Sequence, residues 1–212
     1  MDNFLITRPD YDPVTNYLFH WAEEIVRSSR KVVDLYKERA NKKEVTSVIN
    51  KVQPKLVFFN GHGSPDSITG QKGQILIKKG ENEELLKDKI VYSLSCSSAS
   101  ELGPSCIKKG TKAFIGYEGD FALVNDRNSE TRPLSDTTAQ LFLNPSNLLI
   151  KSLLKGNTAR EAYEKSQAAF LESIEQLKAS DLPAGKESIF SWLVWDKEIQ
   201  VMLGDSEAKF AE

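Results

Sequence analysis

The 212-residue sequence predicts an α/β protein, a three-layer α/β/α sandwich built around a mostly parallel central sheet. Three observations carry that prediction. Short apolar runs recur along the chain, amphipathic stretches of helical period separate them, and the chain is long enough to bury a sizeable core without metal or disulfide staples. Residues 1–212 read as a single domain.

The first strand is Phe4-Leu5-Ile6-Thr7, the second runs from Lys31 to Leu35 and the third from Lys55 to Phe59. Ile90 to Leu94 is a fourth and Ala113 to Tyr117 a fifth. Between the first two, Val14, Tyr17, Leu18, Trp21, Ile25 and Val26 recur every three or four residues and predict a helix from Pro13 to Arg27. Val45, Val48, Ile49 and Val52 predict another over Glu38 to Val52, ended by Pro54. Gly70, Gly73 and Gly80 frame Gln74 to Ile77 as a small hairpin outside the main sheet, and Glu81 to Lys87 reads as a short polar helix.

The polar stretch from Glu118 to Asp136 is longer than a compact domain tolerates without a functional reason, which marks it as a binding loop. Two helices follow, Thr137 to Lys155 with a break near Pro145, and Thr158 to Ala179. The tail from Ile189 to Trp195 reads as a strand paired in a hairpin with Ile199 to Leu203, with Phe190, Trp192 and Trp195 expected in the core.

Composition narrows the function. A formal net charge of −2 leaves no surplus to hold a phosphate backbone or an anionic membrane surface, so neither nucleic acid nor membrane is expected as a partner. No apolar run approaches the roughly 20 residues that a membrane helix needs. The start, Met1-Asp2-Asn3, lacks the basic-then-apolar pattern of a signal peptide, and a cytoplasmic location is expected. Two cysteines, Cys96 and Cys106, are too few for a disulfide framework. With two histidines and no Cys-x-x-Cys pair, no zinc site and no cofactor are expected.

The third strand runs into Asn60-Gly61-His62-Gly63-Ser64, which delivers an imidazole at the carboxyl end of a buried parallel strand, where open α/β sheets bind ligands. The fourth runs into Ser95-Cys96-Ser97-Ser98 and puts a thiol at the start of a turn or helix, where a helix macrodipole would favour thiolate. If the two strands are neighbours, their ends lie about 4.8 Å apart. Thiol plus base is the minimal kit for covalent acyl transfer, and the amides of Gly63 and Cys96 are the candidate oxyanion hole. Each feature alone also has a structural reading, a Gly-rich turn for His62 and a core thiol for Cys96. The pairing favours the functional one.

Hydrophobic strand, His-Gly, then a second hydrophobic strand ending in Ser-Cys resembles the caspase-like cysteine peptidases of clan CD, among them caspases, legumains, gingipains, clostripain, separase and bacterial CHAT domains. The matching residues are Leu56 to Ser64 and Ile90 to Cys96, with Cys96 following His62 by 34 positions. Gly61-His62-Gly63-Ser64 is similar to the gingipain and legumain version, whereas Leu94-Ser95-Cys96 and Gly156 to Ala162 are similar to CHAT domains. The resemblance spans roughly residues 1 to 180 and implies a caspase-hemoglobinase-like fold and a thiol peptidase, a hydrolase acting on a protein or peptide substrate. It implies that Cys96 attacks the scissile carbonyl and His62 serves as general acid and base. In that family the loop after the strand following the cysteine helps to build the pocket for the side chain preceding the cut. Here that loop holds Glu118 and Asp120, and cleavage after Lys or Arg is expected, against the plain reading of an acidic surface turn.

Other signals qualify this. Only a short segment separates Cys96 from the fifth strand, so activation by cutting there is not expected, and Arg127 and Arg132 are the candidate self-cleavage positions. Asp10 and Asn60 are candidates for a third member orienting the histidine. His20 and Cys106 read as packing, Cys106 on the helix after the nucleophile. The alternative is a catalytically silent CHAT-type module that works through a regulatory protein partner or an oligomer. A flavodoxin-like nucleotide module is disfavoured because Arg8-Pro9-Asp10 stands where a glycine-rich phosphate loop would be. A glutaminase-type hydrolase is disfavoured because its nucleophile precedes its histidine.

Overall fold

In a computed structural model, which describes residues 3–179 and 186–210, the apolar runs form strands close to where the sequence puts them. In chain order the elements begin β1 (Phe4–Arg8), α1 (Pro13–Trp21), α2 (Glu23–Ser28), β2 (Val32–Tyr36), α3 (Lys42–Val52) and β3 (Leu56–Asn60). Three short strands follow, β4 (Gly63–Ser64), β5 (Ser67–Thr69) and β6 (Ile75–Lys78). Then come β7 (Ile90–Leu94), α4 (Leu102–Lys108), β8 (Ala113–Tyr117), α5 (Thr137–Leu154), α6 (Ala159–Ala179), α7 (Lys186–Ile199) and β9 (Gln200–Gly204).

The main sheet has six strands in the order β2-β1-β3-β7-β8-β9, parallel throughout except for β9, which runs antiparallel to β8. Both faces are covered, as a parallel sheet requires. Alternate residues along the strands separate the two faces. Phe4, Ile6, Phe58, Tyr92 and Ile115 pack with Tyr17 and Leu18 of α1, Leu143 and Ile150 of α5 and Ala162 of α6. Leu5, Val57, Phe59, Val91 and Phe114 pack with Val45 and Ile49 of α3 and Leu102 and Cys106 of α4. The architecture is a mixed α/β fold with helices on both sides of a mostly parallel sheet.

The expected hairpin at Gln74 to Ile77 is the β5–β6 pair of a separate three-stranded antiparallel sheet, β4-β5-β6, whose Ile68, Leu76 and Ile77 cap the α3 face. Where one helix was expected from Pro13 to Arg27 there are two, joined at Ala22. The polar segment near Glu81 is a 3-10 turn, Glu83–Leu86, carrying buried Leu86. Pro145 does not break α5, because its missing amide removes one helical bond while the buried flanks Phe142 and Leu149 hold the helix on the core.

The tail departs furthest from the expectation. Ile189 to Trp195 lies inside α7, and only Gln200–Gly204 is a strand, which pairs with β8 instead of forming a hairpin with that run. Of the three aromatic residues only Phe190 packs against a core cluster, partly buried; Trp192 is 46% and Trp195 41% exposed, whereas Leu193, between them in sequence, is fully buried against Phe142 and Phe170. Burying one stripe while leaving near neighbours in solvent is helical periodicity. Among the described residues no helix is long and apolar enough to cross a membrane.

Candidate active site

β3 and β7 are parallel neighbours, with Asn60 opposite Leu94, and the ladder continues one step as the Gly61 amide donates to the Leu94 carbonyl at 3.2 Å. His62 and Cys96 each stand two residues beyond that register pair. The chains stay together past the sheet: a β-carbon on Gly63 would lie 2.8 Å from the Cys96 carbonyl oxygen and 2.9 Å from Ser95 Cβ. Only glycine permits this approach. The small sheet holds the histidine side, since the Thr69 amide and hydroxyl both donate to the His62 carbonyl, at 2.9 and 3.1 Å. That bond makes Gly63 and Ile68 a non-hydrogen-bonded pair, which leaves the Gly63 amide out of the ladder.

The third member is neither Asp10 nor Asn60. Asp10 pairs with Lys37 at 3.5 Å and accepts from Asn16, and Asn60 is buried with its amide donating to the Leu18 carbonyl at 3.0 Å. Asp12 takes the role, its Oδ2 lying 2.8 Å from His62 Nε2. It is also the N-cap of α1: Oδ1 accepts from the Thr15 amide at 2.8 Å, the Thr15 hydroxyl closes a capping box, and Pro13 opens the helix. Burial alone would raise the Asp12 carboxyl, yet the Thr15 amide and the His62 ring hold it below the usual carboxylate range. An ionised Asp12 can only accept, so Nε2 carries the proton and a neutral His62 has Nδ1 free as a base. Tyr11 meets the ring edge-on, with centroids 6.1 Å apart.

Cys96 is half-buried and is not at a helix terminus. Residues 95–101 form turns and α4 starts at Leu102, so the macrodipole, which acts within the first turn, does not reach the thiol. Burial pushes the thiol above its ordinary value, and the charges of Asp120 and Asp196 add to this against the Phe121 carbonyl, which accepts from Sγ at 3.9 Å. Ser97, next in the chain, has φ of 55°, a left-handed conformation uncommon outside glycine and concentrated at functional sites. It is held by its amide on the Gly119 carbonyl at 2.8 Å and by its hydroxyl on Asp120 Oδ1 at 2.7 Å.

The segment after β8 therefore lies over the thiol. Asp120 belongs to this arrangement; Glu118 is exposed at its start, with its amide on the Ile199 carbonyl at 2.9 Å. The far side is fixed by α7: Trp195 donates its indole N–H to the Asp120 carbonyl at 2.9 Å, and Asp196 Oδ1 accepts the Ala122 amide at 2.8 Å. Neither Asp12 nor Asp196 stands out in the sequence, and Trp195 reads there only as a core aromatic. The Asp-Pro-x-Thr capping pattern at Asp12 was the available signal for the first, whereas reading the tail as a strand hid the other two.

Cys106 is fully buried on α4, and burial and Glu83 push its thiol up to about 12, which leaves it a packing group. His20 is half-buried with Phe19 edge-on at 5.2 Å. Arg127 and Arg132 are exposed in the loop, Arg127 within a 3-10 turn. Among the described residues no group of three or more His, Cys, Asp or Glu is placed to hold a metal ion. No family model and no curated protein matches this chain.

Proposed function

We propose that the chain is a cysteine endopeptidase of caspase-hemoglobinase-like fold that acts on protein or peptide substrates in the cytoplasm. One observation carries the reading: His62 and Cys96 leave adjacent parallel strands at equal distance from a register pair, with Gly63 packed on Cys96. The thiol proton passes to His62 as Sγ bonds to the scissile carbonyl carbon. The tetrahedral oxyanion then faces the amides of Gly63 and Cys96. Collapse of that intermediate breaks the C–N bond, the amine leaves with the proton from His62, and a thioester remains. Water, deprotonated by His62, attacks the thioester; the acid leaves and the proton returns to sulfur. The exposed carboxylates Glu118 and Asp120 support cleavage after Lys or Arg.

An electrophilic peptide probe followed by mass spectrometry tests the dyad. Cys96 is expected to be modified and Cys106 spared, with the labelling lost in His62→Ala. Equal labelling of both thiols that ignores that substitution counts against a dyad. Reporter peptides ending in Arg or Lys are expected to be cut in preference to those ending in Asp or Asn.

The silent CHAT-type interaction module is favoured by a different observation, the raised thiol beneath the Phe121 carbonyl with no helix terminus to activate it. It predicts that Cys96→Ala preserves the biological effect, where the peptidase reading predicts its loss.

A further inference from the structure

The dyad leaves a buried carboxyl group beside the thiol unused. Asp196 is fully buried; its Oδ1 accepts the Ala122 amide at 2.8 Å and its Oδ2 has no hydrogen-bond partner. An unpartnered buried carboxyl oxygen is costly, and natural structures keep few of them without a reason. Its location suggests the reason. Ala122 adjoins Phe121, whose carbonyl receives Cys96 Sγ, and the preceding Trp195 holds the Asp120 carbonyl. The Gly119 to Ala122 turn is thus bracketed by the nucleophile and by Asp196, close enough that the carboxyl charge acts on the thiol.

The other charged or titratable groups there are already satisfied or neutral. Asp120, on the turn, accepts from the Ser97 hydroxyl at 2.7 Å, and His62 is held by Asp12. The sheet presents Tyr92 and Tyr117, fully buried phenols that bond to each other at 3.4 Å and stay protonated. Glu118 and Asp120 are exposed and favour an approaching cation, but pairing in water is weaker than at a buried group. Asp196 differs, because a cation meeting its free oxygen does so out of water.

We propose that Oδ2 of Asp196 is the seat of a cationic substrate side chain, lysine or arginine, next to the scissile bond, and that Asp196 surrenders its own proton as that cation enters. The proposal rests on the peptidase reading only for the identity of the ligand as substrate. Burial pushes the Asp196 carboxyl up to about 8, so at neutral pH the resting group is protonated, the form a desolvated and unpaired carboxyl prefers. The guanidinium or ammonium reverses that preference: the proton leaves to solvent, the carboxylate pairs with the cation, and the net charge of the pocket is unchanged. Asp196 is fully buried in the free chain, so the proposal requires the Gly119 to Ala122 segment to move aside as the cation enters.

Calorimetry on the Cys96→Ala protein tests this without turnover. The ligands are a short acetylated peptide amide ending in arginine and the same peptide ending in citrulline, its neutral isostere, each in two buffers of different ionisation enthalpy. The arginine peptide is expected to bind at least about tenfold more tightly, to release close to one proton below pH ~8, and to weaken by about tenfold for each further pH unit of acidification. Adding Asp196→Asn, which keeps an oxygen for the Ala122 amide, is expected to abolish both the discrimination and the proton release. Equal binding of the two peptides overturns the proposal, as does arginine preference without proton release or its survival in Asp196→Asn. Should that variant fail to fold, the peptide comparison and the proton count on the parent protein decide alone. Cleavage of neutral peptides with no proton-linked arginine binding overturns this inference and spares the peptidase reading. Proton-linked arginine binding by a chain that cuts no peptide does the reverse.

Discussion

Asp12 joins a helix end to the His62 ring: one oxygen accepts the Thr15 amide at 2.8 Å and the other lies 2.8 Å from His62 Nε2. Two substitutions separate these duties. Asn caps a helix about as well as Asp, so Asp12→Asn is expected to keep the thermal midpoint while hydrolysis of a reporter peptide falls about 10²-fold, because a neutral amide neither fixes the tautomer nor stabilises the imidazolium. Asp12→Ala is expected to lose the same activity and about 1 kcal/mol of stability as well. Unchanged kinetics in both variants would remove Asp12 from the site.

Gly63 is what lets the two strand ends approach closely. In Gly63→Ala the new carbon meets the Cys96 carbonyl oxygen at 2.8 Å and Ser95 Cβ at 2.9 Å, backbone and a short side chain that cannot swing away. Relief requires the histidine loop to separate from the cysteine turn. The expected cost is about 1–3 kcal/mol, read by denaturant unfolding, together with loss of selective probe labelling at Cys96. A variant as stable and as reactive as its parent would show that the loops are not tightly apposed in solution.

The strands of the parallel sheet were legible because each is a short apolar run with both faces buried, and His62 and Cys96 were legible because each directly follows such a run. Strand order was not. Asp12 reaches His62, 50 positions away, because β1 lies beside β3 with Thr7 opposite Phe59, a pairing set by tertiary packing. The tail was misread for a local reason: from Ile189 to Trp195 nearly every residue is apolar, so neither period stands out, and aromatic and β-branched content favours a strand. Packing of Leu193 on α5 and α6 decides for helix, and this brings Trp195 and Asp196 to the thiol loop.

Part of the segment Gly156 to Ala162 has an evident structural task. The Thr158 hydroxyl accepts the Glu161 amide at 3.0 Å and Glu161 Oε2 accepts the Thr158 amide at 2.8 Å, a reciprocal capping box at the start of α6. Thr158→Ala is expected to lower stability by about 1 kcal/mol while probe labelling of Cys96 stays intact. Loss of labelling at unchanged stability would instead tie this segment to the site.

Asp196 makes stability depend on pH in a direction opposite to an ion-paired carboxylate. Its ordinary value is 3.8 and burial raises it to about 8 in the folded chain, so between these limits the native state holds a proton that the unfolded state has lost. Stability therefore falls as pH rises from about 4 to about 8 and levels off above, because over that interval only the unfolded chain gains by ionising. Asp196→Asn removes that slope while keeping an oxygen for the Ala122 amide. The variant is expected to gain on its parent steadily across this interval, by the most near pH 8, in paired denaturant melts at successive pH values. Parallel curves for the two proteins would mean that the carboxyl is not buried as a neutral acid, and that the seat proposed for a substrate cation has no proton to exchange.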